Sequence, residues 1–173
     1  MHPSAFAYIK AHAPAAARVL DIGSLDVNGT AQGLSLRALF SDAGYHGIDE
    51  HDGPGVDAVV SAADYDGAGR FDLVVSTEAM EHAPHPEDII ACAWRSLSPG
   101  GMLLLTAAAP ERQPHNCDGT GYSGIEHYAN IHPDQLRAWL ADWEDVEVVH
   151  QPSLGDVYAS AKKPALKKGR SAA

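Results

Sequence analysis

The sequence predicts an α/β domain, doubly wound around a mostly parallel, seven-stranded sheet that ends in an antiparallel C-terminal hairpin. Three observations predict it. Strand-like and helix-like segments alternate through most of the chain. The early strand segments are continuous apolar runs rather than in–out alternations, the mark of a sheet covered on both faces. The length, 173 residues at 45% hydrophobic composition, is enough for one domain with a real core and too short for two ordinary ones.

The elements follow in order. Residues 3–12 are alanine-rich and suit a short leading helix. Residues 18–22 read as a first buried strand. From 30 to 42, Leu34, Leu36, Ala38, Leu39 and Phe40 suit a helix, with Gly44 as its stop. Strands are expected at 45–48 and, beyond the turn Gly53-Pro54-Gly55, at 56–60. The run at 71–75 is a fourth strand. Residues 86–97 suit a helix with Pro86 in its first turn, ended by Ser98-Pro99-Gly100-Gly101. Residues 102–106 form a fifth strand. Residues 109–130 then hold three glycines, two prolines and the rings of His115, Tyr122, His127 and Tyr128 without any clear period. A loop this long inside a compact domain is usually functional. A helix at 134–141 and strands at 146–150 and 156–161, antiparallel to each other, close the domain.

The formal net charge is -11. Lys162, Lys163, Lys167, Lys168 and Arg170 crowd the C-terminus, so the rest of the chain is more acidic still. Such a body repels phosphate backbones, and a nucleic-acid partner is not expected. The domain is expected to span 1–161, with 162–173 as a basic, solvated tail. Cys92 and Cys117 form no CxxC pair, which suits a reducing cytoplasm. No apolar run approaches the ~20 residues that cross a bilayer, and the N-terminus lacks a signal-peptide pattern.

In doubly wound sheets, ligands sit beyond the carboxyl ends of the strands at the switch point. Three strand ends here carry suitable chemistry: Asp21 with Gly23, Asp49-Glu50, and Ser76-Thr77-Glu78. A carboxylate at the second strand end can accept from both hydroxyls of a ribose, and glycine in the first turn lets backbone approach a ligand. A nucleoside-containing cofactor fits. A dinucleotide fits poorly: GxGxxG is absent, and Asp26 would face a pyrophosphate. A sulfonium cofactor has no phosphate and tolerates acids around that turn.

The stretches "VLDIGSLDVNG", "YHGIDEHDGPGVDAVV" and "FDLVVSTEAMEHAPHPEDIIACAWRSLSPGGMLLLTA", in that order and spacing, resemble the small single-domain class I methyltransferases that use S-adenosylmethionine (SAM). The resemblance covers roughly residues 17 to 161. It implies that Asp21, Gly23 and Ser24 approach the methionine part of SAM. It implies that Asp49 meets the ribose, that Ser61-Ala62 meet the adenine, and that the backbone at Ser76 meets the cofactor's amino group, with Glu50 and Glu78 also counted among the cofactor-binding residues. Serine stands at 61 where many relatives have aspartate, and Asp64 is a candidate substitute. The first motif also departs, replacing its third glycine within Asp26-Val27-Asn28-Gly29. Each residue has a local alternative: Asp21 as a turn cap, Asp49 as an ordinary loop acid.

Methyl transfer from a sulfonium is an in-line displacement, so positioning carries most of the catalysis. A base is needed only where the acceptor must lose a proton. Glu81, His82, His127 and His132 are the candidates, with Tyr128 as a positioning group; His82, His127 and Tyr128 are the residues assigned to catalysis. No metal is expected, because no histidine or cysteine spacing matches a zinc motif. The expected function is methyl transfer to an oxygen or nitrogen of a small-molecule acceptor bound under residues 109–130. The alternatives are a non-catalytic SAM-binding or scaffold protein of the same fold and a nucleotide-dependent oxidoreductase.

Overall fold

The computed structural model describes residues 2–27 and 30–165. Seven strands form one sheet: β1 (Arg18–Ile22), β2 (Gly44–Asp49), β3 (Ala58–Val59), β4 (Phe71–Thr77), β5 (Leu97–Ala108), β6 (Glu144–Gln151) and β7 (Asp156–Lys162). Their spatial order is β3-β2-β1-β4-β5-β7-β6. β1 to β5 pair in parallel, and β7 runs antiparallel to both β5 and β6. The order reverses between β1 and β4, so the carboxyl ends of those strands open a crevice.

The helices are α1 (Pro3–His12), α2 (Leu36–Leu39), α3 (Glu87–Ser96) and α4 (Pro133–Trp139). Successive strand residues face opposite sides. Val19, Leu73 and Leu104 pack with Tyr8 and Ile9 of α1 and Leu36 of α2. Their neighbours Leu20, Val74 and Leu105 pack with Ile89, Ile90 and Ala93 of α3 and Leu136 and Leu140 of α4. Both faces are covered, which is why the central strands are apolar without alternation. In α3, Glu87 and Asp88 in the first turn and Arg95 in the last complement the helix dipole.

Several elements differ from expectation. Residues 30–42 are not one helix: a 3-10 turn at Thr30–Gln32 gives way to the four residues of α2. Gly33 breaks the run with φ 72°, and the Ser35 hydroxyl caps the new start by accepting from Ala38 N at 3.3 Å. Gly44 opens β2 instead of ending a helix, donating its N–H to Ala17 O. β3 shrinks to two residues. No helix links it to β4; the Arg95 guanidinium gathers the carbonyls of Ala62, Ala63 and Tyr65 and ties that crossover to α3. Ser98 to Gly101 lie within β5, beside an irregularity in its pairing with β4. β4 extends to Thr77, so Ser76 and Thr77 sit inside a strand.

At the C-terminus, Lys162 ends β7 and pairs with Asp145 at 2.9 Å. The Lys163 ammonium donates to the carbonyls of Trp94 and Leu97, satisfying orphan acceptors at the end of α3. The basic segment thus begins docked on the sheet. The tail proper, 166–173, and Asn28-Gly29 of the first turn lie outside the described residues. Among the described residues no helix is long and apolar enough to cross a membrane.

Candidate active site

One cavity of about 850 Å³ opens at the switch point. The turn after β1 forms its floor. Gly23 adopts φ 79°, and a Cβ there would lie 2.5 Å from Ala79 Cβ, in the turn after β4. Only glycine lets the two turns close on each other. The N–H groups of Gly23 and Ser24 both donate to Ile48 O, locking this turn to β2.

Asp21, the penultimate residue of β1, is buried and faces the cavity. It does not cap the turn. One of its oxygens accepts from the Tyr45 hydroxyl; the other is buried with no hydrogen-bond partner among the described residues. Burial pushes the Asp21 carboxyl up to about 7, against the pull of the Tyr45 hydrogen bond. At the end of β2, Asp49 accepts from Leu25 N at 3.1 Å and His51 N at 2.9 Å. Both contacts hold its carboxylate at the cavity wall.

Glu78 follows β4 with φ 54°, a left-handed conformation rare outside glycine. Its side chain is almost fully buried and pairs with Arg112. The same guanidinium pairs with Asp156, whose other oxygen accepts from Ser4 of α1 and from Tyr158. Arg112 therefore ties the β4 turn, the start of β7 and α1 together. Gly155 makes room: a Cβ there would press within about 3.0 Å of the Arg112 backbone.

Residues 109–130 fold over the cavity. Asn116 organises the loop, donating to Thr120 Oγ1 and Gly121 O and accepting from Ser123 N. Asn130 ties its base, donating to Ala109 O and Arg112 O. Ala129 N donates to Glu81 O. His82, His115 and Tyr128 form a ring cluster, with centroids 4.9 to 5.5 Å apart. Glu81 is fully buried beneath it. Burial first, and then the Glu78 charge, push the Glu81 carboxyl up to about 8; burial holds the His82 imidazole down at about 4.

Of the sequence-predicted residues, Asp21, Gly23, Ser24, Asp49, Glu50, Ser61, Ala62, Glu78, His82 and His127 all line this one cavity. Ser76 and Tyr128 do not. Ser76 is buried within β4, because the strand runs two residues further than its apolar stretch. Tyr128 packs behind the His82 and His115 rings and receives a hydrogen bond from Asn130. Asp64 does not line the cavity; its carboxylate accepts from the Ser61 hydroxyl at 2.8 Å. His132 lines a separate shallow groove with Glu111 and His150. Sequence reading missed Tyr45, Arg112 and His115. Tyr45 and Arg112 reach the site through contacts distant in sequence, and His115 sits in a loop with no periodicity to place it.

The sequence pattern of the family described as "Methyltransferase domain" matches residues 4–151. The "Ubiquinone biosynthesis O-methyltransferase" of Xanthomonas axonopodis pv. citri is 31% identical over 163 residues, covering 81% of this chain and 67% of that protein. The protein of the same name from Xanthomonas oryzae pv. oryzae is 36% identical over 85 residues, 44% of this chain, and is spanned over only 36% of its length. Among solved structures, the Burkholderia thailandensis 1,6-didemethyltoxoflavin-N1-methyltransferase with bound S-adenosylhomocysteine superposes with TM-score 0.65 at 20% identity, covering 94% of this chain and 77% of that one. The Haemonchus contortus phosphoethanolamine N-methyltransferase 2 with SAM gives TM-score 0.69 at 18% identity, covering 93% and 52%.

Proposed function

The chain belongs to the class I SAM-dependent methyltransferases, and from that premise we propose that it methylates an oxygen of a small, uncharged, hydroxylated aromatic acceptor. The convergence of Asp21, Gly23, Asp49 and Glu78 with His82 and His127 on one cavity carries this reading.

The residues fit SAM. Asp21 offers a buried oxygen without a partner among the described residues, suited to the cofactor's ammonium. Gly23 keeps the floor free of a side chain. Asp49 lines the cavity with a carboxylate suited to ribose hydroxyls, and Ser61-Ala62 of the same lining are our candidates to meet the adenine. The cavity wall is acidic, which suits a sulfonium cation and repels a pyrophosphate. When bound, SAM supplies an activated methyl group and takes back the electron pair of the broken carbon–sulfur bond. The protein's own part is to align the acceptor oxygen, exclude water beneath residues 109–130 and accept the acceptor's proton.

The same acidity disfavours an anionic acceptor. Arg37 is the one lysine or arginine among the cavity's described lining, and it is committed to Asp57 at 2.6 Å. The His82 and His115 rings supply flat faces for an aromatic acceptor. The name of the Xanthomonas relatives favours oxygen over nitrogen. His127, exposed on the loop and lining the cavity, is the base this reading assigns to the acceptor's proton. The free thiols of Cys92 and Cys117 and the acidic body support a cytoplasmic enzyme without a nucleic-acid partner.

The test is calorimetric titration with SAM and S-adenosylhomocysteine, followed by methyl-labelled SAM with catechols, simple phenols and amines. We expect both cofactor forms to bind and label to appear on catechol or phenol. Binding of neither would indicate a scaffold; label on amines alone would overturn the choice of oxygen.

A further inference from the structure

We propose that Tyr45 is a positioning residue for the cofactor: its hydroxyl holds one oxygen of Asp21 and leaves the other turned to the ammonium at the amino-acid end of SAM. This role deepens the proposed function and rests on it.

The register of the sheet brings the two side chains together. β1 and β2 run in parallel, with Val19 beside Tyr45 and Asp21 beside Gly47. Alternate residues of a strand share a face, so Tyr45 reaches Asp21 past a position that carries no side chain. Gly47 has to be bare: a Cβ there would lie 2.2 Å from Gly55 O and 2.6 Å from Ser24 Oγ. The Tyr45 hydroxyl donates to Asp21 Oδ2, and both residues line the cavity.

A second layer fixes the tyrosine. The Arg37 guanidinium of α2 lies over its ring, 4.5 Å from the centroid. That guanidinium is itself held, donating to Gly55 O at 3.0 Å and to Asp57 at 2.6 Å. Asp57 in turn accepts from Gly47 N at 2.8 Å. Burial, and then the Asp21 charge, hold the Tyr45 hydroxyl above the usual phenol range, so it remains a donor.

One atom of Asp21 is left open. The residue is 3% exposed, and its Oδ1 is buried with no hydrogen-bond partner among the described residues. Buried polar atoms are nearly always satisfied. An ammonium satisfies this one with a charge-assisted hydrogen bond and offsets the cost of a carboxylate held out of water. The terminal torsion of a carboxylate side chain is broad. Without the tyrosine both oxygens are free to turn, and ordering them opposes binding. Burial most of all favours the protonated form of Asp21, and the charges of Asp49 at the end of β2 and Asp26 in the first turn add to it; the Tyr45 hydrogen bond and the Arg37 charge favour the carboxylate that an ammonium needs.

The experiment compares two ligands that differ at the end Asp21 reads. S-adenosylhomocysteine carries the ammonium; 5′-methylthioadenosine has the same nucleoside and sulfur without it. Both are titrated calorimetrically into the parent, Tyr45→Phe, Asp21→Asn, the double variant and Arg37→Met, with folds checked by circular dichroism. Phenylalanine keeps the ring under Arg37. Tyr45→Phe should bind S-adenosylhomocysteine about tenfold more weakly at pH 7 and 5′-methylthioadenosine within about twofold of the parent. Its rise in S-adenosylhomocysteine affinity with pH should move to higher pH. Arg37→Met, which uncovers the ring, should show the same selective loss to a smaller degree. Adding Tyr45→Phe to Asp21→Asn should cost nothing further, because the tyrosine acts through that carboxylate. Equal losses for both ligands would mean a merely structural role and overturn the proposal, as would unchanged S-adenosylhomocysteine affinity in Tyr45→Phe. A parent that binds neither ligand overturns the cofactor reading itself, a failure seen before any substitution is made.

Discussion

The Tyr45 hydroxyl donates to one oxygen of Asp21, and the second oxygen of Asp21 stays buried at the cavity wall without a protein partner among the described residues. This gives the apoprotein a carboxyl group whose pKa is raised by burial to about 7. The folded state then binds a proton between pH 4 and 7 that the unfolded chain has released. Stability contributed at this site is therefore greatest near pH 4, falls as pH rises to about 7, and is flat above. The total fall is on the order of 4 kcal/mol for so buried a group. Urea unfolding across this range should show the slope in the parent and a shallower one in Asp21→Asn, where the raised Glu81 carboxyl still contributes.

SAM should reverse the preference. Its ammonium at the free oxygen favours the carboxylate, so affinity should rise with pH through about 7. Calorimetry at pH 6 and pH 8 checks this. Equal affinities would place the ammonium elsewhere.

Gly23 is the position where a methyl group does most harm. Alanine there is strained at φ 79° and collides with Ala79. Gly23→Ala should cost about 2–4 kcal/mol of stability and should abolish measurable SAM binding, because the floor of the cavity must move. Gly100→Ala is the contrast. Its φ is also positive, but nothing lies within 4 Å of an added Cβ. Thermal unfolding should show a backbone penalty of about 1 kcal/mol there, with cofactor affinity kept.

Asp49→Ala should weaken SAM binding by about 1–3 kcal/mol, roughly 5- to 150-fold, as ribose hydroxyls lose their acceptor. Asp49→Asn should be no kinder. An amide in that place turns an N–H₂ group toward Leu25 N or His51 N, which are both donors. Titration of both variants against SAM makes the comparison. Unchanged affinity in Asp49→Ala would mean the ribose lies elsewhere.

These predictions separate what sequence carries from what it does not. Asp21, Gly23 and Asp49 were legible because strand ends punctuate apolar runs, and doubly wound sheets bring such ends together. The extent of Phe71–Thr77 was less so: hydropathy stops at Val75, whereas hydrogen bonding to β5 continues to Thr77. That difference moved Ser76 from the cavity rim into the sheet. The helix expected over 30–42 failed because Gly33 and Ser35 are stronger local signals than the spacing of leucines. Arg112 was invisible for another reason. Its partners Glu78 and Asp156 lie far apart in sequence, and an arginine in an aperiodic loop gives no hint that it is buried.

Arg112 should therefore behave as a structural charge and not a surface one. Its removal strands the Glu78 and Asp156 carboxylates away from water. Arg112→Met should destabilise the fold by about 3–5 kcal/mol, far more than loss of an exposed pair. Adding Glu78→Gln should recover part of this, since one stranded charge is then gone. Arg137→Met, which breaks the exposed pair with Asp134, should cost about 1 kcal/mol or less. Urea midpoints of the four proteins decide it, and equal losses at Arg112 and Arg137 would show that the buried network is not formed in solution.

His127 and His132 are close in sequence and were both candidates as base, with His127 alone of the two assigned to catalysis, and the fold parts them. His127 faces the cofactor cavity, whereas His132 lies in the shallow groove beside Glu111. A base acts only on a proton within hydrogen-bond reach, so of these two only His127 can serve an acceptor in the main cavity. His127→Ala should lower turnover by about 10²-fold or more with SAM affinity unchanged, whereas His132→Ala should leave both alone. Single-turnover rates with labelled SAM, measured beside calorimetric affinities, distinguish loss of chemistry from loss of binding. Full turnover in His127→Ala would pass the proton's route to water or to His82, the other imidazole assigned to catalysis that lines the cavity.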